Sequence, residues 1–383
     1  VSGGSPSTGG SGGEDPMLVP PPCPPGATEL ALDLCPQQAP DPSAELLAAV
    51  GDAVRGDVVP DLPELGSSVC MPVRTCEPDA APTLIFSDEP EYVATDGVLY
   101  ADELETGRYR VYLYHVNDGN SLRRFSVVAL NQTAVPATVT VEKLAYALPS
   151  PSFLGVGRSV ALDYLTAGGK PAVTVPAMTR VVVDDEIDGL VADPGELVHS
   201  IFQILVVGEV KLSVVSVGQN ADAAAVTAGL PLLPNTNTHT RGTFPKADRI
   251  LLTRHPGGLR RLRLGGDEAI DPHLVGTNYV DGGAVTLPGN FGVLYDVRVT
   301  DPTTQLFVGV NPRAGAWAGA VAGSAGLDAN GGEFLAPDTT ASVADNTSVV
   351  SLGRYTSGID VGERFLTAGG SNLPIHLVVT ESP

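Results

Sequence analysis

Side chains able to do chemistry are few and scattered in this chain of 383 residues. The six histidines are His115, His199, His239, His255, His273 and His376, and no two stand at metal-ligand spacing. Packed or surface imidazoles fit that pattern better than a ligand cluster. A Gly-x-Ser-x-Gly string covers Gly9–Gly13. A nucleophile elbow needs a strand before its serine and a helix after it, whereas this string lies in a Gly/Ser tether. No phosphate-binding glycine loop occurs. Two acidic clusters come nearest to a metal site: Asp184, Asp185 and Asp188, and Asp328, Asn330 and Glu333. Calcium takes six to eight oxygens, and neither cluster offers a full set. They are the candidates for a structural Ca²⁺ beside the plainer reading, solvated loop acid, and no other cofactor is expected.

Two further groups suggest binding and not catalysis. Arg254, His255, Arg260, Arg261 and Arg263 form a basic cluster in a chain of net charge −22. Such a cluster suits an anionic wall polymer or an acidic patch on a neighbouring copy, and local ion pairing within one subunit suits it equally. Tyr112 and Tyr114, beside Arg110, either stack on a sugar or pack across strands. With no catalytic constellation, the expectation is a protein without enzymatic activity. The acidic balance excludes nucleic acid as a partner, because phosphate contacts need a basic face. No apolar run approaches the ~18 residues that cross a bilayer.

All four cysteines, Cys23, Cys35, Cys70 and Cys76, fall in the first fifth of the chain. Their spacing is too open for a zinc knuckle and no histidine lies near, so disulfides and an oxidising compartment are expected. Four cysteines allow three pairings, and proximity favours Cys23–Cys35 with Cys70–Cys76.

The elements that position these groups divide the chain in three. Residues 1–82 form an extended arm: a Gly/Ser tether, the apolar Met17-Leu18-Val19, a proline run and a short helix capped by Ser43. From residue 83 apolar residues recur with period two, as in Arg108–Val116, where Val111 and Leu113 face one way and Tyr112 and Tyr114 the other. Many short strands between turn residues indicate an all-β fold of two tandem antiparallel sandwiches, Ig-like or jelly-roll-like, over 83–240 and 241–383. Ser159–Tyr164 is among the strands expected, and Ala314–Gly332 among the loops.

Three short strings occur twice in one order. Gly97-Val98-Leu99-Tyr100, Val116-Asn117 and Leu165-Thr166-Ala167-Gly168-Gly169 are matched by Gly292-Val293-Leu294-Tyr295, Val310-Asn311 and Leu366-Thr367-Ala368-Gly369-Gly370. They imply a duplication in which Leu99 and Leu294 face equivalent cores and Gly168 and Gly369 occupy equivalent turns.

The strings Tyr114-His115-Val116-Asn117, Arg241-Gly242-Thr243-Phe244-Pro245, Ala247-Asp248-Arg249, Asn311-Pro312-Arg313 and Gly369-Gly370-Ser371-Asn372-Leu373-Pro374 together resemble a bacterial secreted or cell-envelope region. That region often accompanies stalk domains of the copper amine oxidase N-terminal-like kind. The resemblance runs from about Thr83 to the C-terminus, leaves out the cysteine-clipped arm, and carries no copper site with it. It implies a bacterial surface location and a non-enzymatic role. The expected function is a structural subunit of an extracellular filament or surface layer, self-associating through Met17, Leu18 and Val19 or through Arg260, Arg261 and Arg263. A monomeric envelope module binding glycan or anionic wall polymer is the alternative.

Overall fold

Alternation with period two produces sixteen principal strands, and they pair in the same order twice. The computed structural model describes residues 19–300, 302–324, 331–338 and 342–383. In the first half the strands are β1 (Thr83–Ser87), β2 (Gly97–Leu104), β3 (Gly107–Asn117), β4 (Arg123–Leu130), β5 (Ala137–Tyr146), β6 (Arg180–Val182), β7 (Leu197–Val207) and β8 (Val210–Gly218). They build two sheets, β1-β3-β7-β5 and β2-β8-β4-β6. The second half supplies β9 (Asp248–Thr253), β10 (Arg260–Leu264), β11 (Leu294–Val299), β12 (Leu306–Pro312), β13 (Gly319–Gly323), β14 (Val349–Tyr355), β15 (Val361–Leu366) and β16 (Ile375–Glu381). Their sheets are β9-β11-β15-β13 and β10-β16-β12-β14.

Strand n of the first sandwich therefore corresponds to strand n+8 of the second, in partners and in direction. β1 runs parallel to β3 as β9 does to β11. The remaining pairs within these four sheets are antiparallel. Even the short strand at the edge is repeated, Val173–Val175 on β5 and Gly332–Ala336 on β13. The fold is all-β as expected, but the sheets are mixed. A parallel pair needs a crossover connection, and here β2 and β10 provide it by passing through the facing sheet.

The repeated strings mark different places in this repeat. Gly97–Tyr100 opens β2, whereas Gly292–Tyr295 leads into β11, the counterpart of β3. Leu99 is buried but Leu294 only partly so, the core position there being taken by Val293. Asn117 ends β3, and Asn311 lies on β12, the counterpart of β4. The true counterpart of Asn311 is Asn131, directly after β4. Each is fully buried and its Nδ2 donates to two main-chain carbonyls: Val135 and Val175 for Asn131 (2.7 and 3.0 Å), Asn346 and Ser348 for Asn311 (2.8 Å each). Gly168 follows a helix, while Gly369 follows β15. The duplication is present in the topology, in another register from the one the strings imply.

The two sandwiches are joined by crossed strands. Val73–Pro78 leads into β1 but pairs with β9, and Arg241–Phe244 leads into β9 but pairs with β1. A hairpin between β10 and β11, Leu274–Thr277 with Ala284–Leu287, then extends the first sandwich's sheet beyond Arg241–Phe244. Both faces of β3 are buried: Val111 and Leu113 lie in the first sandwich's core, Tyr112 and Tyr114 in a core shared with Tyr295, Trp317 and Phe365 of the second. This burial decides the role of the two tyrosines, which are packing residues with no face for a sugar.

The expected strand Ser159–Tyr164 belongs instead to a helix. Helix α1 spans Ala44–Gly51 with Ser43 as its cap, and α2 spans Phe153–Thr166. Buried Val156, Gly157, Val160, Ala161 and Tyr164 recur at helical spacing. A six-residue window hid that period. α2 is wedged between β5 and β7 on one side and β13 on the other. The contact is so close that a Cβ on Gly157 would stand 1.8 Å from the carbonyl oxygen of Gly369. The Gly/Ala-rich stretch expected as a loop contains β13, whose small residues allow that approach.

The arm is bound into the second sandwich. Ala27–Asp33 pairs with Val73–Pro78, Val58–Val59 with β14, and Val69–Cys70 with β10. Leu46 and Val50 of α1 pack on Phe307, Val349 and Val378. This ladder also overturns the local disulfide pairing. Cys23 bonds Cys76 and Cys35 bonds Cys70, because Cys23 and Cys35 flank opposite ends of a seven-residue strand roughly 24 Å long. The sequence separations of 53 and 35 residues correspond to about 4 kcal/mol of stabilisation each in the chain-entropy model. Replacing Cys35 and Cys70 by serine is expected to lower the midpoint of thermal unfolding of the second sandwich, since the arm carries strands of its sheets. An unchanged midpoint would show the arm to be energetically separate.

At the crossing itself lies Arg110 of β3, fully buried. It donates to Tyr164 Oη (2.9 Å), to the carbonyls of Ala247 and Gly292 (2.9 Å each) and to Asp248 Oδ1 (2.7 Å). One side chain thus ties β3 and α2 to the starts of β9 and β11. Arg110→Met, which keeps the bulk and removes the donors, should cost about 3–5 kcal/mol in denaturant unfolding. A loss below 1 kcal/mol would mean that the crossing does not depend on it.

Candidate functional site

The basic cluster of the sequence is divided by the period of its own strand. Along β10, Arg260, Leu262 and Leu264 are buried, and Arg261 and Arg263 point outward. Arg260 turns to the arm, donating to the carbonyls of Gln37 (2.9 Å), Cys70 (3.1 Å) and Gly257 (3.0 Å). Arg254 and His255 lie elsewhere, the His255 ring bonded to the Gly258 carbonyl at 2.9 Å. What sequence reading missed is Arg313 and His376. The ladder sets His376 of β16 opposite both Arg263 of β10 and Asn311 of β12, and Arg313 follows two residues after Asn311.

Arg261, Arg263, Arg313 and His376 line a recess of about 510 Å³ whose remaining wall includes Asp33 and Cys70 of the disulfide-stapled arm. Arg263 pairs with Glu268 at 2.9 Å. Arg261 donates to Ser68 Oγ (3.3 Å) and Arg313 to Asn311 Oδ1 (3.3 Å). Among the described residues, neither of these two arginines has a carboxylate within ion-pair distance. His376 is 8% exposed and its Nδ1 has no hydrogen-bond partner. Burial, reinforced by Arg261, Arg313 and Arg263, pushes the His376 pKa down to about 3, so the ring is neutral. Burial and the same neighbours also lower the pKa of Arg261. The recess concentrates positive charge within a strongly acidic chain.

A second cluster closes the link between the sandwiches. His239 Nε2 meets Glu91 Oε2 at 2.6 Å and Nδ1 meets Asp88 Oδ2 at 3.3 Å. Beneath it Glu89 accepts from the hydroxyl of Thr236 (2.6 Å) and the main-chain N–H of His239 (3.0 Å). Bonds to Asp88 and Glu91 raise the His239 pKa to about 10, while burial raises that of Asp88 to about 7. His115 Nε2 lies 2.8 Å from Ser87 Oγ, but both residues are sealed from solvent and the other ring nitrogen binds the Pro90 carbonyl. Burial lowers the His115 pKa to about 3. It is a packed neutral ring with no access for a substrate.

Two of the acidic candidates, Asp184 and Asp188, are engaged in local bonds. Asp184 caps the short helix α3 (Asp185–Asp188), accepting from the N–H groups of Glu186 and Ile187, and pairs with Lys170 at 2.7 Å. Asp188 pairs with Arg124 at 2.7 Å and also binds Ser126. Asp185 and Glu333 are exposed, and Asp328 and Asn330 lie outside the described residues. Met17 and Leu18 lie outside them too, while Val19 is half-buried. Among the described residues no group of three or more potential ligands could hold a metal ion. Comparison of the chain with protein-family models and with curated proteins finds no match.

His239 generates a pH dependence of stability. Its folded pKa is raised from 6.5 to about 10, so the stability it contributes falls as pH rises from about 6.5 through 10. His239→Gln should flatten the fall in unfolding free energy between pH 7 and 10, read by denaturant titration across that range. Parallel curves for the two proteins would show that the His239 cluster does not set the pH dependence.

Proposed function

We propose that this chain is a non-enzymatic structural building block of a bacterial extracellular assembly, a filament or surface layer. The observation that carries the reading is the crossed pairing of lead-in strands, which joins the two sandwiches and the arm into one body. The most deeply buried ionisable groups serve that body. Arg241, for instance, forks onto Asp281 with two bonds of 2.8 Å while donating to the Leu99 carbonyl at 2.7 Å. Two disulfides support an oxidising, extracellular setting. No described helix is long and apolar enough to cross a membrane.

Self-association is assigned to the segment ahead of Val19. From Pro20 onward the arm is held by its own chain, the Pro20 carbonyl accepting from Arg74 at 3.5 Å and Cys23 bonded to Cys76. Met17 and Leu18, which precede that stretch in sequence, would add to a neighbour's groove or sheet edge. Deleting residues 1–18 keeps all four cysteines and should abolish or weaken assembly in sedimentation velocity and electron microscopy, with the unfolding midpoint unchanged. A full-length chain that stays monomeric at every concentration would sink the proposal. The recess favours a second reading, an envelope module for an anionic wall polymer.

A further inference from the structure

Within that second reading, we infer that the recess between β10, β12, β16 and the arm is a binding site for a tetrahedral oxyanion, a phosphate ester carried on a polar body. Three guanidinium groups border it, from Arg261, Arg263 and Arg313, against the carboxylates of Glu268 and Asp33. Among the described residues, Arg263 alone of the three is engaged in an ion pair. A chain with twice as many acidic as basic residues, 44 against 22, has carboxylates in excess, yet none of the described ones is paired with Arg261 or Arg313. Like charges held together in a half-buried recess repel, and an entering anion relieves that repulsion.

The geometry selects the class of anion. A guanidinium fork matches two oxygens of a carboxylate or a phosphate. One carboxylate satisfies one fork, as Glu268 does for Arg263, and the two forks of Arg261 and Arg313 call for an anion with three or more oxygens. Arg261 and Arg263 lie two residues apart on one strand face, roughly 7 Å, and both border the recess, as Arg313 does from just past the end of β12. His376 is neutral, so it adds no charge and presents a ring beside the anion. A volume of about 510 Å³ exceeds what a phosphate group fills, leaving room for the sugar or polyol that bears it. The arm supplies the wall at Asp33 and Cys70, and the Cys35–Cys70 disulfide fixes that wall in place.

Isothermal titration of the full chain with orthophosphate, glycerol phosphate, a short poly(glycerol phosphate) and glucuronate, at one ionic strength, tests the assignment. Saturable one-to-one binding of the phosphates is expected, with glucuronate weaker by about tenfold or more. Tighter binding of the esters than of orthophosphate assigns a polymer-borne phosphate, and equal binding assigns the free anion. Arg261→Ala should weaken binding about tenfold. Arg313 is exposed, so Arg313→Glu leaves the core untouched and should abolish binding. Arg108→Ala, at an exposed pair with Glu142 on the other sandwich, should leave it unchanged. Glucuronate binding as tightly as phosphate would overturn the oxyanion class while keeping an anion-binding module. Phosphate binding indifferent to Arg313→Glu would overturn the site, and failure of every anion to bind would overturn the module reading as well.

Discussion

Each sandwich completes its first sheet with a strand whose chain continues into the other one. Val73–Pro78 lies on β9 and then becomes β1, and Arg241–Phe244 lies on β1 and then becomes β9. An uncovered sheet edge leaves a row of N–H and C=O groups unpaired, so neither sandwich reaches its final pairing until the other has formed. The arginines of the junction follow from the same constraint. A buried guanidinium has five donors and needs acceptors for them. Arg110 finds carbonyls at Ala247 and Gly292, where the chain enters β9 and β11, and Arg241 finds them at Leu99 and Leu233 of the first sandwich. Crossed strands bring main-chain acceptors from distant segments to one point, and that convergence is what allows these charges to be buried.

The second consequence is that one core runs across the junction. β3 is buried on both faces, and its outer face stacks Tyr112 on Phe86 with ring centroids 4.5 Å apart. Gly369 comes down on those tyrosines, where a Cβ would stand 2.8 Å from Tyr112 Oη. Helix α2 fills the remaining gap, with Gly157 against Gly369. Glycine is needed at both positions for closeness of approach, a requirement of the junction and not of any local turn.

The recess is built by this same arrangement. The two-residue period of β10 turns Arg261 and Arg263 outward and Arg260 in toward the arm. Pairing of β16 between β10 and β12 then adds His376 and brings Arg313 alongside. The arm, drawn onto β10 by Val69–Cys70 and onto Val73–Pro78 by Ala27–Asp33, closes the last side. Stapling and charge clustering are thus two results of one set of strand pairings.

Alternation of apolar residues by itself determined that the chain is all-β, placed β3 close to its observed limits, and put Val111 and Tyr112 on opposite faces. Composition determined the acidic surface and the oxidised cysteines. Partners in space were beyond it. Cys23–Cys76 rests on a ladder between Ala27–Asp33 and Val73–Pro78, the duplication rests on pairing order and not on the strings that repeat, and α2 appears only when fourteen residues are read with a period of 3.6. Arg313 and His376 stand 63 residues apart in sequence and meet because β12 and β16 pair. Local periodicity is carried by neighbouring residues, so sequence reveals it; register between distant strands is decided by which faces and edges must be covered, and that is settled only by the tertiary structure.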